Sequence, residues 1–133
     1  MASGLVRGTQ SITQKASDAL NNVIMRFPDT DYAKDARAKI DLTVDHLAGK
    51  EMDVGRYYLK QKNYLSALNR FSEVVTKYQT TSHIEEALYR QTEIYSIMGL
   101  SEEASNAAKV LIHNYPDSSW SKQAQALISG AKG

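Results

Sequence analysis

Three segments of the chain carry small and large apolar residues at one common spacing. They are Ala16-x3-Leu20 followed by Pro28, Ala67-x3-Phe71 followed by Gln79, and Ala104-x3-Ala108 followed by Pro116. Upstream of the last two segments, an aromatic residue lies nine positions before the alanine. A small residue, an aromatic residue and a proline at set positions within about 34 residues are typical of a helical hairpin repeat. This feature constrains the fold most, because a single hairpin of that kind cannot bury its apolar face alone.

The repeats therefore predict an all-α fold, a right-handed solenoid of antiparallel helix pairs of the tetratricopeptide type. A final helix containing Trp120 follows the last repeat. We expect it to be a capping helix that Trp120 anchors, because the last repeat otherwise exposes its apolar side.

One helix is predicted to be unusually long. Apolar and small residues recur at steps of three or four from Tyr32 to Tyr58, with no proline between them. Gly49 interrupts this series at a cost of only about 1 kcal/mol relative to alanine. We therefore predict one helix over about residues 31–61, with Asn63 in the left-handed conformation after it, because its short side chain tolerates positive φ. Tyr57 and Tyr89 are turned about 100° from their packing neighbours Tyr58 and Leu88 on their helices, and both are expected to be exposed.

The chain is expected to form one domain over residues 9–133, after a leader at residues 1–8. This domain consists of a half repeat (9–28), an extended repeat (30–81), a repeat (82–117) and the capping helix (118–130). In the half repeat Leu20, Ile24 and Phe27 lack the helix that normally covers such residues. We therefore expect that the chain can self-associate through this edge.

Charge and composition exclude several classes of function. Sixteen basic and fifteen acidic side chains give a net charge of +1, so no field that attracts nucleic acid is expected. The absence of cysteine excludes disulfides and cysteine-ligated zinc. No apolar run is long enough to predict a transmembrane segment.

Catalytic and metal-binding patterns are not evident. His46, His83 and His113 lie 37 and 30 residues apart, and none has a second ligand at helical spacing. The paired acids Glu85-Glu86 and Glu102-Glu103 are explained by their position at helix starts. We predict no catalytic residue, no metal and no cofactor. An enzyme on a helical scaffold stays an alternative only if the histidines or the paired acids converge in space.

A longer block of sequence is more specific than the repeats. It consists of His46-Leu-Ala-Gly-Lys-Glu-x2-Val-Gly-Arg-Tyr-Tyr58, then Asn63-Tyr64-x2-Ala67-Leu-Asn-Arg70-Phe71, and finally Asn114-Tyr-Pro-Asp-Ser-x-Trp120. With these motifs the chain, over roughly residues 16–128, resembles the BamD family of tetratricopeptide lipoproteins of the outer-membrane β-barrel assembly complex.

The resemblance implies a carboxy-terminal fragment of such a protein, with about its last two and a half repeats. It implies a scaffold that docks onto the periplasmic domains of the barrel-forming partner BamA, in the periplasm at the inner face of the outer membrane. The full-length family member is lipid-anchored. By the same resemblance, Arg70, beside Phe71 on a second helix, is expected in the docking surface.

The inner face of the array, lined by the first helix of each pair, is the expected binding groove. Its predicted lining is basic in one repeat and mixed in the next, and suits an acidic or amphipathic segment. Another periplasmic tetratricopeptide adaptor that coordinates cell-envelope proteins stays open as an alternative function. The predicted groove residues are Met52, Arg56 and Lys60 in the extended repeat, and Tyr89, Glu93 and Ile97 in the next.

Overall fold

The computed structural model describes residue 15 and residues 18–130, and the regular elements of that part of the chain are all α-helices. The predicted all-α class is confirmed. The predicted leader at residues 1–8 lies outside the described residues. The helices are α1 (18–26), α2 (Asp31–Lys60), α3 (Tyr64–Lys77), α4 (Ile84–Ile97), α5 (Ser101–Asn114) and α6 (Ser119–Gly130).

The long helix predicted over about residues 31–61 is confirmed, because α2 runs without a break for 30 residues. Thr30 begins it: the Thr30 hydroxyl accepts a hydrogen bond from the Ala33 amide at 3.1 Å and donates one to the Phe27 carbonyl at 2.8 Å. The first of these bonds satisfies an amide that the first helical turn leaves free. Contacts along the chain define two compact units, residues 1–46 and residues 47–133.

The first unit contains α1 and the amino-terminal half of α2. Ala33 and Ala36 are its buried apolar residues within the described part. Along the edge predicted to self-associate, Phe27 is exposed, while Leu20 and Ile24 are half-buried. Self-association through this edge stays a prediction.

The second unit has two apolar clusters. In the first, the end of α2 packs against α3 and α4 around the fully buried side chains of Met52 and Phe71. The ring of Phe71 lies 2.7 Å from the point that a Cβ on Gly55 would occupy, so the two helices pack closely only because residue 55 has no side chain. The repeat residues Ala67 and Ala104 are also buried, which agrees with their predicted packing role.

The second cluster lies between α4, α5 and α6 and includes Leu88, Leu111 and Ala124. Trp120 packs against it from the start of α6. The Ser121 hydroxyl donates to the Leu111 carbonyl at 3.2 Å and so joins α6 to the end of α5. The predicted capping helix is confirmed, and its contacts with α4 and α5 cover the last repeat.

The left-handed residue between α2 and α3 is Lys62, with φ 60°, and the prediction for Asn63 was wrong. Asn63, with φ −88°, instead precedes the first residue of α3. The Lys62 amide donates to the Leu59 carbonyl at 3.0 Å, and the Asn63 amide donates to the Tyr58 carbonyl at 2.9 Å. In a helix end with this pair of bonds, the left-handed residue is the one before the residue whose amide makes the longer-range bond. Here that amide belongs to Asn63, so the left-handed residue is Lys62.

Candidate partner-binding surface

Arg56 and Glu86 join two helices that line the predicted groove. Arg56 on α2 donates through Nε to Glu86 Oε2 at 2.9 Å and through Nη2 to Oε1 at 2.6 Å. Its remaining nitrogen, Nη1, donates to Asp53 at 2.9 Å. The planar guanidinium therefore fits the carboxylate of Glu86 on α4 with two parallel hydrogen bonds, a geometry that lysine cannot reproduce.

Arg90 extends this ion-pair network along α4. Its Nε donates to Glu86 Oε2 at 3.1 Å, and its Nη1 donates to Glu93 at 3.0 Å. Acidic and basic side chains thus alternate from Asp53 to Glu93. Arg56 and Glu93, both predicted groove residues, belong to one network whose charges largely compensate each other.

The network determines the charge state of Glu86. Burial by itself would raise the pKa of the Glu86 carboxyl, but the hydrogen bonds and the positive charge of Arg56, followed by those of Arg90, outweigh burial. The pKa of Glu86 therefore lies below its usual value. Glu86 is ionised at neutral pH and holds both guanidinium groups.

Tyr89 and Trp120 form an aromatic pair beside this network. Their ring centroids are 5.4 Å apart with an angle of 40° between the planes. The Arg90 guanidinium carbon lies 5.5 Å from the centroid of each ring, within the distance of a cation–π contact. Tyr89, predicted to contact a partner, is half-buried against the capping helix, and burial raises the pKa of its hydroxyl.

Met52 does not line a groove, and this part of the prediction was wrong. Its side chain is fully buried in the first apolar cluster, with Phe71 and Val74. The helical stripe that faces α3 and α4 is wider than the spacing of the aromatic residues indicated, so it includes position 52. Lys60, in the last turn of α2, is exposed as predicted. Ile97 at the end of α4 is also exposed.

Arg70 on α3 is the most weakly held of the predicted arginines. Its Nη1 lies 3.4 Å from Oε1 and 3.3 Å from Oε2 of Glu51, while its side chain is 43% exposed. Both contacts use Nη1, so Nε and Nη2 of Arg70 have no hydrogen-bond acceptor among the described residues. Arg70 thus presents donors at the surface, whereas all the donor nitrogens of Arg56 are engaged.

Sequence reasoning missed Glu86, Arg90 and Glu51, the residues that organise these arginines. Glu86 was explained by its position at a helix start, and nothing in the repeat pattern indicated a bond across 30 residues to Arg56. The spacing of Glu86, Arg90 and Glu93 by four and three residues was the available signal for the pairs within α4.

Within residues 15 and 18–130, no group of three histidine, aspartate or glutamate side chains is placed to hold a metal ion. None of the helices described has both the length and the apolar composition needed to cross a membrane.

The fold defines the class: this is an all-helical repeat protein of the tetratricopeptide type. Comparison with known proteins gives the family. Residues 5–110 match the YfiO family, which is described as outer membrane lipoprotein. The chain belongs to this YfiO/BamD family.

Its relatives have the name outer membrane protein assembly factor BamD. The protein from Rickettsia prowazekii is 51% identical over 123 residues, which cover 92% of this chain and 49% of the relative. The protein from Caulobacter vibrioides is 47% identical over 124 residues, which cover 93% of this chain and 41% of the relative. The protein from Neisseria meningitidis serogroup A is 37% identical over 105 residues. The chain spans about half the length, or less, of these relatives.

Proposed function

We propose that this chain is a non-catalytic scaffold of the outer-membrane β-barrel assembly machinery that docks onto the periplasmic domains of BamA. The observation that carries the proposal is the high identity to relatives named as assembly factors, which extends over 92% and 93% of the chain. An α-helical repeat array acts by presenting an extended surface, which suits a scaffold.

Arg70 is the residue through which we propose that the partner is recognised. Its guanidinium contacts Glu51 through one nitrogen, at 3.3 to 3.4 Å, and its other two nitrogens have no acceptor among the described residues. An arginine that is oriented in advance and keeps free donors is suited to planar recognition of a carboxylate, and arginine is enriched where truncation costs most binding energy.

The remaining predicted residues are proposed to support docking in different ways. Lys60 offers a free charge at the end of α2. Arg56 joins α2 to α4 through Glu86, and Tyr89 packs on Trp120 of the capping helix, so both hold neighbouring helices in a fixed arrangement. Glu93 pairs with Arg90 within α4 and supports this network.

The test is a calorimetric titration of the chain with purified periplasmic domains of BamA. Arg70→Glu is expected to weaken binding by about tenfold or more, the effect of losing a central interface arginine. Arg70→Gln, which does not repel Glu51, should show most of this loss and keeps the test valid if Arg70→Glu unfolds. Lys109→Glu is the control, since it reverses an exposed charge on α5. Unchanged affinity of both Arg70 variants would remove this residue from the site.

The proposed location is the periplasm, at the inner face of the outer membrane, in a full-length lipid-anchored protein. A second candidate is another periplasmic adaptor that coordinates cell-envelope proteins. A pull-down from envelope extracts separates the two: recovery of BamA supports the first, whereas recovery of another envelope protein without BamA supports the second. Neither proposal involves nucleic acid or a cofactor.

A further inference from the structure

The turns within the two helix pairs of the second unit have the same geometry. The Lys62 and Asn63 amides bond to the Leu59 and Tyr58 carbonyls, and 37 residues later the Gly99 and Leu100 amides bond to the Ser96 and Tyr95 carbonyls. Lys62 has φ 60°, and its counterpart Gly99 has φ 78°. Each turn therefore needs one residue in the left-handed conformation.

Lysine is an unfavourable residue for this position. The Cβ of any residue other than glycine crowds the backbone in the left-handed region, which is why glycine or asparagine usually occupies it. Within the described residues Lys62 is the only residue besides glycine with positive φ. The equivalent position of the next repeat is glycine, which adopts this conformation without strain. A lysine at the first position therefore points to a use for its side chain.

Apolar side chains surround both turns at the surface. Five of them are between 38% and 61% exposed, although the residues beside them pack against one core cluster. We call this set the turn edge; it consists of Tyr57, Leu65, Ile97, Met98 and Leu100. The ring centroids of Tyr57 and Tyr58 are 5.7 Å apart in an edge-on arrangement. Tyrosine and methionine are enriched at protein interfaces, and exposed apolar side chains beside two turns that pack on one core cluster are candidates for a contact surface.

Charge divides the turn edge into two halves. Lys60 and Lys62 are exposed at the α2–α3 turn, and neither forms an ion pair within the described part of the chain. Glu102 and Glu103 are exposed just after the α4–α5 turn. A partner that covers both turns therefore meets positive charge at one end and negative charge at the other.

We propose that the turn edge is a docking surface for an amphipathic protein segment that places carboxylates over Lys60 and Lys62 and apolar side chains over the rest. Charge complementarity sets its orientation, because an acidic group at the other end would meet Glu102 and Glu103. The inference does not depend on BamA or on Arg70.

The probes are two fluorescein-labelled synthetic peptides with the same leucine and phenylalanine face. One ends in three glutamates and the other ends in three lysines. In fluorescence anisotropy the glutamate peptide is expected to bind this chain about tenfold more tightly. Lys62→Gly should lower the affinity for the glutamate peptide about threefold, and Lys62→Gly combined with Lys60→Gln should lower it about tenfold. The affinity for the lysine peptide should stay the same or increase.

The glycine substitution separates binding from folding. Gly99 shows that glycine fits this turn, so Lys62→Gly is expected to melt at the same temperature as the parent chain or higher. Leu65→Ser should weaken both peptides, and Lys109→Ala on α5 should weaken neither. Amide chemical shifts of residues 57–65 and 97–100 should move on titration.

Several outcomes overturn the proposal. Equal affinity for the two peptides, absence of binding, or an unchanged affinity of Lys62→Gly would each do so. Lys62-dependent binding to phosphatidylglycerol vesicles without peptide binding would assign the edge to lipid. A dimer that Leu65→Ser dissociates, again without peptide binding, would assign it to a second copy of the chain.

Discussion

Arg56 and Glu86 are 30 residues apart in the sequence, yet two parallel hydrogen bonds of 2.9 and 2.6 Å join them. The side chain of Glu86 is only 13% exposed, and it also accepts a hydrogen bond from Arg90. One carboxylate therefore holds two arginines, and its removal should have a larger effect than the loss of an ordinary surface ion pair.

We expect Glu86→Gln to lower the free energy of unfolding by about 1–2 kcal/mol, because Arg56 and Arg90 each lose a charged acceptor in a partly buried site. Urea denaturation followed by circular dichroism measures this change. The control is Glu73→Gln, which removes an exposed pair with Lys77 at 2.9 Å and should cost about 0.5 kcal/mol or less. Equal losses in the two variants would contradict a special role for Glu86.

Stability should fall in acid through the same carboxyl group. The pKa of Glu86 is lowered in the folded chain, so unfolding brings the group back to its usual value of about 4.5 and takes up a proton in acid. Its stabilising contribution is fully present above that value and is lost as the pH falls through the lower folded pKa. Denaturation series between about pH 7 and pH 3 should show a steeper decline for the parent chain than for Glu86→Gln. Parallel curves would exclude Glu86 as the source.

Gly55→Ala is expected to destabilise the chain by about 1–3 kcal/mol, although alanine is the better helix former, because its Cβ would lie 2.7 Å from the Phe71 ring. Gly49→Ala is the matched control on the same helix. Its Cβ would lie 3.4 Å from His83 Nε2, so the change should be neutral or stabilising by up to about 1 kcal/mol. Thermal melts of the two variants compare the effects directly. A stabilised Gly55→Ala variant would show that the helices can separate without cost.

Trp120→Ala should cost about 2–3 kcal/mol, because it removes a half-buried ring that contacts both Tyr89 and Arg90. Trp120→Phe keeps an aromatic ring and should lower the free energy of unfolding clearly less than Trp120→Ala does. Hydrogen exchange of the α6 amides tests where the effect acts, since the capping helix should open before the rest of the second unit. Loss of protection from exchange that is confined to α1 or to the start of α2 would contradict this assignment.

Much of the fold could be predicted because local and periodic signals agree. The series from Tyr32 to Tyr58 predicted α2 to within a residue of each end, since an unbroken apolar stripe at steps of three and four leaves few alternatives to a helix. Ala67 and Ala104 were correctly predicted as small packing residues, and Tyr57 as an exposed one, whereas Tyr89, also expected to be exposed, is half-buried.

Predictions that depended on the orientation of one side chain were less successful. Met52 was expected at the surface but is buried. The width of a buried stripe depends on how many helices contact it, and both α3 and α4 pack there. The left-handed residue was predicted as Asn63 by side-chain preference, whereas the hydrogen bonds that end α2 require it at Lys62.

The amino-acid order by itself determined that this protein is a series of helical hairpins with one overlong helix and a closing helix, since the periodicity of apolar residues is a property of each segment alone. Tertiary structure decided which charges meet. The pairs of Arg56 with Glu86 and of Arg70 with Glu51 form only when separate helices pack, because the distance between two side chains on different helices depends on packing that no single segment encodes. Packing thereby engages Nε and Nη2 of Arg56 with Glu86 and leaves donors of Arg70 at the surface.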